Sequence, residues 1–428
     1  MKRYESYKPS GISWIGEIPS HWEKMRIKHT GIARNGLTYS PFDLCNKEDN
    51  GTLVLRSSNI QRGDICLEDC VYVKSTISPD LKVNAGDIII CSRNGSRDLV
   101  GKLALIPENL DASFGAFMLI YRRKEKYKSK YFVFMLPIAI QAYKALFTTS
   151  TINQLTQSEF ANFQIPIPPL EEQKKIVEYL STKTSLIDAL QSAREKEIRL
   201  LEELKQAEIA NVVTRGLNPD VPMKKAKTLL GEEIPFSWQL IRNRNILREE
   251  NILVGNRKDL PLLSLTKSGI ILRDIESGKG KFPKDFEKYK EVIPGNIVFC
   301  LFDIDETPRT VGLSSHRGMI TGAYDVFSIN NDIIDSRYLY HYFIAVDNIK
   351  ALRPYYTGLR KVVQMASFLG IQIPMPPLEE QRAIVEFIEQ KNKAIDDMIA
   401  NLRAEIDFLT EYKQRLIADA VTGQIKID

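Results

Sequence analysis

The sequence predicts an α+β protein in which two pseudo-symmetric α/β domains are separated by a long antiparallel two-helix coiled coil. Three observations predict it. The segment Ile165-Pro-Ile-Pro-Pro-Leu-Glu-Glu-Gln-Lys-Lys-Ile-Val-Glu178 recurs nearly letter for letter as Ile373-Pro-Met-Pro-Pro-Leu-Glu-Glu-Gln-Arg-Ala-Ile-Val-Glu386, so the chain is a tandem duplication with a period close to half of its 428 residues. After each copy no Pro or Gly appears until Gly216 and Gly423. Ahead of each copy lie short apolar runs bounded by turn residues, the pattern of strands, followed by a helical stretch.

The repeated segment itself reads as a helix start. Pro168-Pro169 and Pro376-Pro377 lack backbone donors and hold the chain extended. Glu171-Glu172 and Glu379-Glu380 then place negative charge in the first turn, where free N–H groups and the helix dipole favour it. Helices of roughly 45 residues, at ~1.5 Å per residue, would each be on the order of 65 Å long. In the second, Val385, Ile388, Asn392, Ile395, Ile399, Leu402, Ile406, Leu409, Lys413, Leu416 and Ala420 alternate at spacings of three and four, a coiled-coil seam. The first carries Val177, Leu180, Thr184, Ile187, Ile198, Leu201 and Val212 at matching positions, with a break at Gln191 and Arg194 where Leu190 and Ala193 offer a substitute. Two seams joined by a folded segment pair most simply with each other, antiparallel, as one rod with a domain near each end. Two separate helices capping two separate cores are the alternative.

The domains repeat as well. Gly16-Glu-Ile-Pro-Ser-His-Trp22 is matched by Glu232-Glu-Ile-Pro-Phe-Ser-Trp238, a Pro that fixes the backbone beside a Trp suited to core packing. Val83–Cys91 and Val292–Cys300 each read as a glycine turn followed by a strand, and Phe114–Ile120 pairs with Ile320–Phe327. Helical stretches follow at Ser129–Ala145 and Ser336–Ala351. Thr214–Thr228, with Gly, two Pro and basic residues, reads as a linker. The loops diverge: Arg93-Asn-Gly-Ser-Arg-Asp98 stands against Phe302–Arg309, and Thr149–Gln154 against Thr357–Lys361. A shared framework with different loops is expected where two domains contact different ligands, and drift after duplication gives the same pattern.

Composition bounds the function. The net charge of +5 permits a polyanionic partner without demanding one. Five cysteines, four of them in the first half, argue for reduced thiols rather than a disulfide framework. The N-terminal residues are not a signal peptide and no apolar run approaches the ~20 residues of a membrane helix, so a soluble, cytoplasmic protein is expected. Gly95–Lys102 has the wrong glycine spacing for a phosphate-binding loop, and Leu103 replaces its Ser or Thr. The four histidines show no metal-ligand spacing. The sequence therefore predicts no active site, no metal and no cofactor. The basic run Arg122–Lys130 could track phosphates, although a solvated turn explains it equally.

Two domains, each followed by a Pro-Pro-Leu-Glu-Glu-Gln helix, resemble the DNA-specificity (S) subunit of type I restriction-modification systems. The resemblance covers essentially the whole chain and is carried by the paired helix starts, the paired Glu-Ile-Pro openings with their Trp, and the closing Thr422-Gly-Gln-Ile425. It implies a non-catalytic reader of double-stranded DNA, each variable domain taking one half of a split site. It also implies helices that set the half-site distance and dock two adenine methyltransferase (M) subunits, with ATP-dependent restriction (R) subunits as further partners. The expected division is residues 1–164 for the first target-recognition domain, 165–215 for the first spacer helix, 216–372 for the linker and second domain, and 373–428 for the second spacer helix. By place in the repeat, the expected DNA contacts are Arg56, Ser58, Asn59, Arg93, Asn94, Ser96, Arg97, Asn153 and Gln154 in the first domain, with Thr266, Lys267, Arg360, Lys361 and Gln364 in the second. A non-catalytic scaffold that binds only proteins is the rival reading, and an enzyme with an unrecognised nuclease or methyltransferase site is another.

Overall fold

The computed structural model describes residues 2–74, 76–107, 110–146, 154–255, 260–273 and 286–428. The chain forms two units, Met1–Ala193 with Glu405–Asp428, and Arg194–Ala404. Each is built from the same parts.

In the first unit a four-stranded antiparallel sheet has the order Leu103–Leu105, Ile88–Cys91, Met118–Arg123, Gly31–Asn35. The run Ile88-Ile-Ile-Cys91 is apolar throughout because both of its faces are covered. Ile88 and Ile90 face the main core with Tyr121, Tyr131, Phe132 and Phe160, while Ile89 and Cys91 face a smaller core with Leu55, Phe114 and Met118. A second sheet, ordered Ala112–Phe114, Thr52–Leu55, Val71–Val73, Leu44–Cys45, supplies that smaller core, and its first pair is parallel. The second unit repeats the central sheet as Leu247–Glu249, Asp325–Ile329, Ile297–Phe299, Val311–Leu313. Ile297 and Phe299 again face one core and Val298 the other. The helices that follow, Ser129–Leu146 and Ser336–Asn348, lie where expected, the second ending before its predicted limit. The expected linker is only partly one: Met223–Lys225 is a strand paired with Glu233–Pro235.

Each repeated segment joins its domain to a long helix. Gln164–Ile167 pairs with Glu23–Arg26, and Gln372–Met375 with Gln239–Arg242. The helices then run Leu170–Arg215 and Leu378–Val421. The paired glutamates do more than charge the first turn. Glu172 Oε2 accepts the indole N–H of the fully buried Trp22 at 2.9 Å, and Glu380 Oε2 accepts that of the fully buried Trp238 at 3.0 Å. Gln173 and Gln381 donate to the carbonyls of Pro168 and Pro376 at 2.9 and 2.8 Å. Both helices end on glycines in the left-handed region, Gly216 at φ 76° and Gly423 at φ 73°.

Helix pairing is visible inside each unit. In the first, Gln191 donates to Thr410 Oγ1 at 2.7 Å and to the Ile406 carbonyl at 3.2 Å, and Asp188 holds Lys413. In the second, Lys205 holds Asp396 at 2.7 Å and Glu202 meets Arg403 at 3.5 Å. Within each unit the partner number falls as the first helix advances, so the two helices run antiparallel. The seam is buried at Leu180, Thr184, Ile187, Val212, Val385, Ile388, Ile395, Ile399, Leu416 and Ala420. The expected substitution by Leu190 and Ala193 does not occur. Both are exposed, and Gln191 stays in the seam because its amide finds partners on the facing helix. Among the described residues no helix is long and apolar enough to cross a membrane. All five cysteines carry free thiols.

Candidate nucleic-acid interface

In the first unit four chain segments at strand ends, together with Asp69, converge around an open cleft of about 1160 Å³. Leu37–Tyr39 follow the strand Gly31–Asn35, Arg56–Ser58 follow Thr52–Leu55, Arg93–Gly95 follow Ile88–Cys91, and Gly115–Met118 link Ala112–Phe114 to the central sheet. The approach is close. A Cβ on Gly36 would sit 2.2 Å from the Gly115 carbonyl oxygen, so only glycine lets these two segments meet. The Phe117 carbonyl accepts from the backbone N–H of Ser92 at 2.9 Å and of Arg93 at 3.2 Å, which fixes the arginine loop against the aromatic loop.

The cleft collects four of the expected contact residues, Arg56, Ser58, Arg93 and Asn94. The Arg93 guanidinium lies 5.3 Å from the exposed Phe117 ring and has no carboxylate partner among the described residues. A guanidinium stacked on one face keeps its donor edges open for phosphate or base atoms. Asn94 spans the cleft wall, donating to Ser57 Oγ at 3.3 Å and accepting from the Ser96 N–H at 3.0 Å. Gln154 is exposed and bridges Arg93 through the backbone, outside the cleft lining. Ser96 and Arg97 are also exposed outside it, with Arg97 Nη2 donating to the Lys144 carbonyl at 3.4 Å. Asn153 lies outside the described residues.

Asn59 has a different place from the one expected. It is fully buried, its Oδ1 accepts from the Arg56 N–H at 2.9 Å, and its Nδ2 donates to the carbonyls of Cys66 and Asp69 at 3.0 and 2.8 Å. Its polar atoms are spent on backbone, so it braces the loop instead of contacting a ligand. Sequence reasoning missed Asp69, Tyr39 and Phe117, which line the cleft. Phe117 carried no usable signal, since Phe114 three residues earlier has the same residue type and is fully buried. Asp69 carried none, because its nearness to Arg56 depends on the fold.

The second unit keeps the frame and changes the charge. Asp303 N–H bonds the Arg360 carbonyl at 2.9 Å, much as Arg93 bridges Gln154. Cys300 Sγ donates to the Phe302 carbonyl as Cys91 Sγ does to that of Arg93. Here the cations are paired: Arg360 with Asp303 at 2.8 Å, and Lys361 and Arg353 with Asp305 at 3.0 and 3.1 Å. Hydrogen bonds from Lys361 and then Arg353 hold the Asp305 carboxyl at about 2. The backbones of Asp303 and Lys361 occupy the left-handed region at φ 46° and 47°, uncommon for side-chain-bearing residues and frequent in ligand-binding loops. Gln364 donates to Thr357 Oγ1 at 3.1 Å and precedes the helix Met365–Gly370. Thr266 is spent within its hairpin, donating to the Gly269 carbonyl at 3.0 Å. Lys267 is exposed and lines another cleft, of about 740 Å³, with Lys205, Arg309, Lys350 and Arg403. The five expected contacts of this unit therefore fall into two groups.

A family model described as the type I restriction modification DNA specificity domain matches residues 19–200 and 319–407. The putative type I restriction enzyme MjaX specificity subunit of Methanocaldococcus jannaschii is 27% identical over 435 residues, covering 96% of each chain. The StySPI specificity subunit of Salmonella potsdam is 24% identical over 421 residues, covering 96% of this chain and 90% of that protein. Among solved structures, a chain of a type I R-M system studied for its complex assembly and conformational transition aligns with a TM-score of 0.68 at 16% identity, covering 95% of this chain and 99% of that one. The HsdS subunit of Thermoanaerobacter tengcongensis aligns with a TM-score of 0.53 at 17% identity, covering 95% and 98%. At these identities the structural likeness speaks for the fold.

Proposed function

Because the chain belongs to the family of type I restriction-modification DNA specificity domains, we propose that it is the DNA-reading, non-catalytic subunit of such a system, each unit taking one half of a bipartite DNA site. The observation that carries this is the cleft of the first unit, where a ring-stacked Arg93 without a carboxylate partner among the described residues and the polar side chains of Ser57, Ser58 and Asn94 converge at strand ends. These are groups that bond phosphates and base edges. The second unit offers Arg360, Lys361 and Gln364 on the same frame, with Asp303 and Asp305 tempering the charge, and Lys267 in its other cleft. Residues 1–164 and 216–372 serve as the readers, and 165–215 and 373–428 as the spacer helices.

The helices dock two adenine methyltransferase subunits in this reading. Leu190, Leu200 and Leu204 of the first helix are exposed, and so are Met398, Phe408 and Tyr412 at the equivalent positions of the second. An apolar set held outside the seam in both copies suits two copies of one partner. ATP-dependent restriction subunits are the further partners that this reading admits.

The test is to assemble the chain with the methyltransferase subunits of its host, add S-adenosylmethionine and DNA, and map the modified adenines. A two-part motif is expected, and the chain alone should modify and cut nothing. A protein-binding scaffold instead predicts DNA retention that ignores sequence at every salt concentration.

A further inference from the structure

The rim of the first unit's cleft holds a second guanidinium whose setting differs from that of Arg93. Arg56 Nη2 donates to Asp69 Oδ2 at 2.8 Å, and both side chains line the cleft. The two residues lie on separate turns, yet one buried side chain sets both. Asn59 accepts from the Arg56 backbone N–H and donates to the Asp69 backbone carbonyl, so arginine and carboxylate are held side by side before any ligand arrives. The pair is incompletely satisfied. Among the described residues Arg56 Nη1 donates to nothing and Asp69 Oδ1 accepts nothing, while the Arg56 Nε is buried behind them. An ion pair serving only as a loop brace gains from closing on itself; this one leaves a donor and an acceptor free at the mouth of a cleft.

A donor fork beside a carboxylate acceptor matches one nucleobase pair. In the major groove guanine presents the O6 and N7 acceptors that an arginine fork bonds, and its partner cytosine presents the N4 amino donor that a carboxylate accepts. Adenine offers a donor where guanine has O6, and thymine offers an acceptor that a carboxylate repels. Resting on the DNA-reading function proposed above, we infer that Arg56 and Asp69 together read a single G·C base pair in the half-site taken by the first unit.

The experiment uses the full chain assembled with its methyltransferase subunits and a DNA library randomised over the mapped site. The wild-type complex should show an invariant G·C pair in one half-site. Arg56→Gln should lower modification of the cognate site by about 10-fold to 100-fold and relax that position alone, because a bidentate arginine contributes discrimination of this order. Arg56→Lys preserves the charge and can still reach guanine O6 and N7 without the planar fork, so it should keep salt-dependent affinity and only weaken the preference for G. Asp69→Ala should relax the same base pair. An unchanged motif in Arg56→Gln overturns the inference, as does an equal loss at every sequence in all three variants, which marks a structural brace. A wild-type complex without any sequence preference would instead remove the DNA-reading function itself.

Discussion

Replacing Ile399 with Asp tests the paired helices where the consequence can be worked through. Ile399 is 6% exposed, in the same seam as Val385, Ile388 and Ile395 of the second unit. Losing its burial removes about 1.5–3 kcal/mol. A carboxylate in its place adds a desolvation penalty of several kcal/mol if it stays unpaired. Arg403 and Lys205 line the cleft beside Ile399 and reduce that penalty, but Lys205 is held by Asp396 at 2.7 Å and Arg403 faces Glu202 at 3.5 Å. The net cost should be about 4 kcal/mol, against a typical domain stability of about 5–15 kcal/mol. Adding Leu402→Asp should deepen it. Guanidinium unfolding followed by circular dichroism and by tryptophan fluorescence reads the shift, and site-specific methylation by the assembled complex should be lost. Ile399→Val, which only trims a methyl, should cost about 0.5–1.5 kcal/mol and keep methylation. An Ile399→Asp chain that unfolds at the wild-type midpoint and methylates normally would refute the seam.

Other consequences follow from the framework. Glu380→Ala strips the buried Trp238 N–H of its acceptor and should cost about 1–3 kcal/mol in the same unfolding assay. Burial raises the Glu172 carboxyl, but hydrogen bonds from Trp22, His21 and Tyr4 outweigh it and the net direction is down. Glu172 therefore stabilises the fold above its unfolded value of about 4.3, and that contribution is lost as pH falls through the lower folded value. Urea midpoints from pH 6 down to pH 3 should fall less steeply in Glu172→Gln than in the wild type. Gly423→Ala should cost well over about 1 kcal/mol, since its φ of 73° is left-handed and the new Cβ would lie 2.4 Å from Pro19 Cδ. Gly63→Ala, at φ 88° in open space, should cost only about 1–2 kcal/mol, as thermal melts will show. Asp305→Asn releases Lys361 and Arg353 and should raise DNA affinity of the assembled complex at low salt, steepening the salt slope by about one phosphate contact; an unaltered slope would place those cations away from DNA.

Much of the fold was legible because duplication writes it twice. The recurrence of Ile165–Glu178 at Ile373–Glu386 located both helices, and Gly216 and Gly423 marked their ends. The Ile88–Cys91 strand could be found but its faces could not be sorted, since an all-apolar run hides its period until two cores are seen on either side. Gln191 was misjudged as a defect because an amide in a seam is costly unless the facing helix supplies partners, and sequence does not show Thr410 across from it. The site was harder. Residue type identified Arg56, Ser58, Arg93 and Asn94, which do line one cleft, but it also chose the buried Asn59. Whether a polar side chain is spent on backbone, as Asn59 is, or a cation on a carboxylate, as Lys361 is on Asp305, depends on contacts between separate turns and loops that no local pattern records.

In the proposed function each unit reads its own half of a divided DNA site. The decisive experiment is to sequence the adenines methylated by the assembled complex, with the wild-type chain and then with Arg93→Ala in the first unit's cleft. Two separated half-motifs are predicted, with the substitution degrading one and leaving the other intact. A single continuous motif, or a substitution that alters both halves alike, would contradict it.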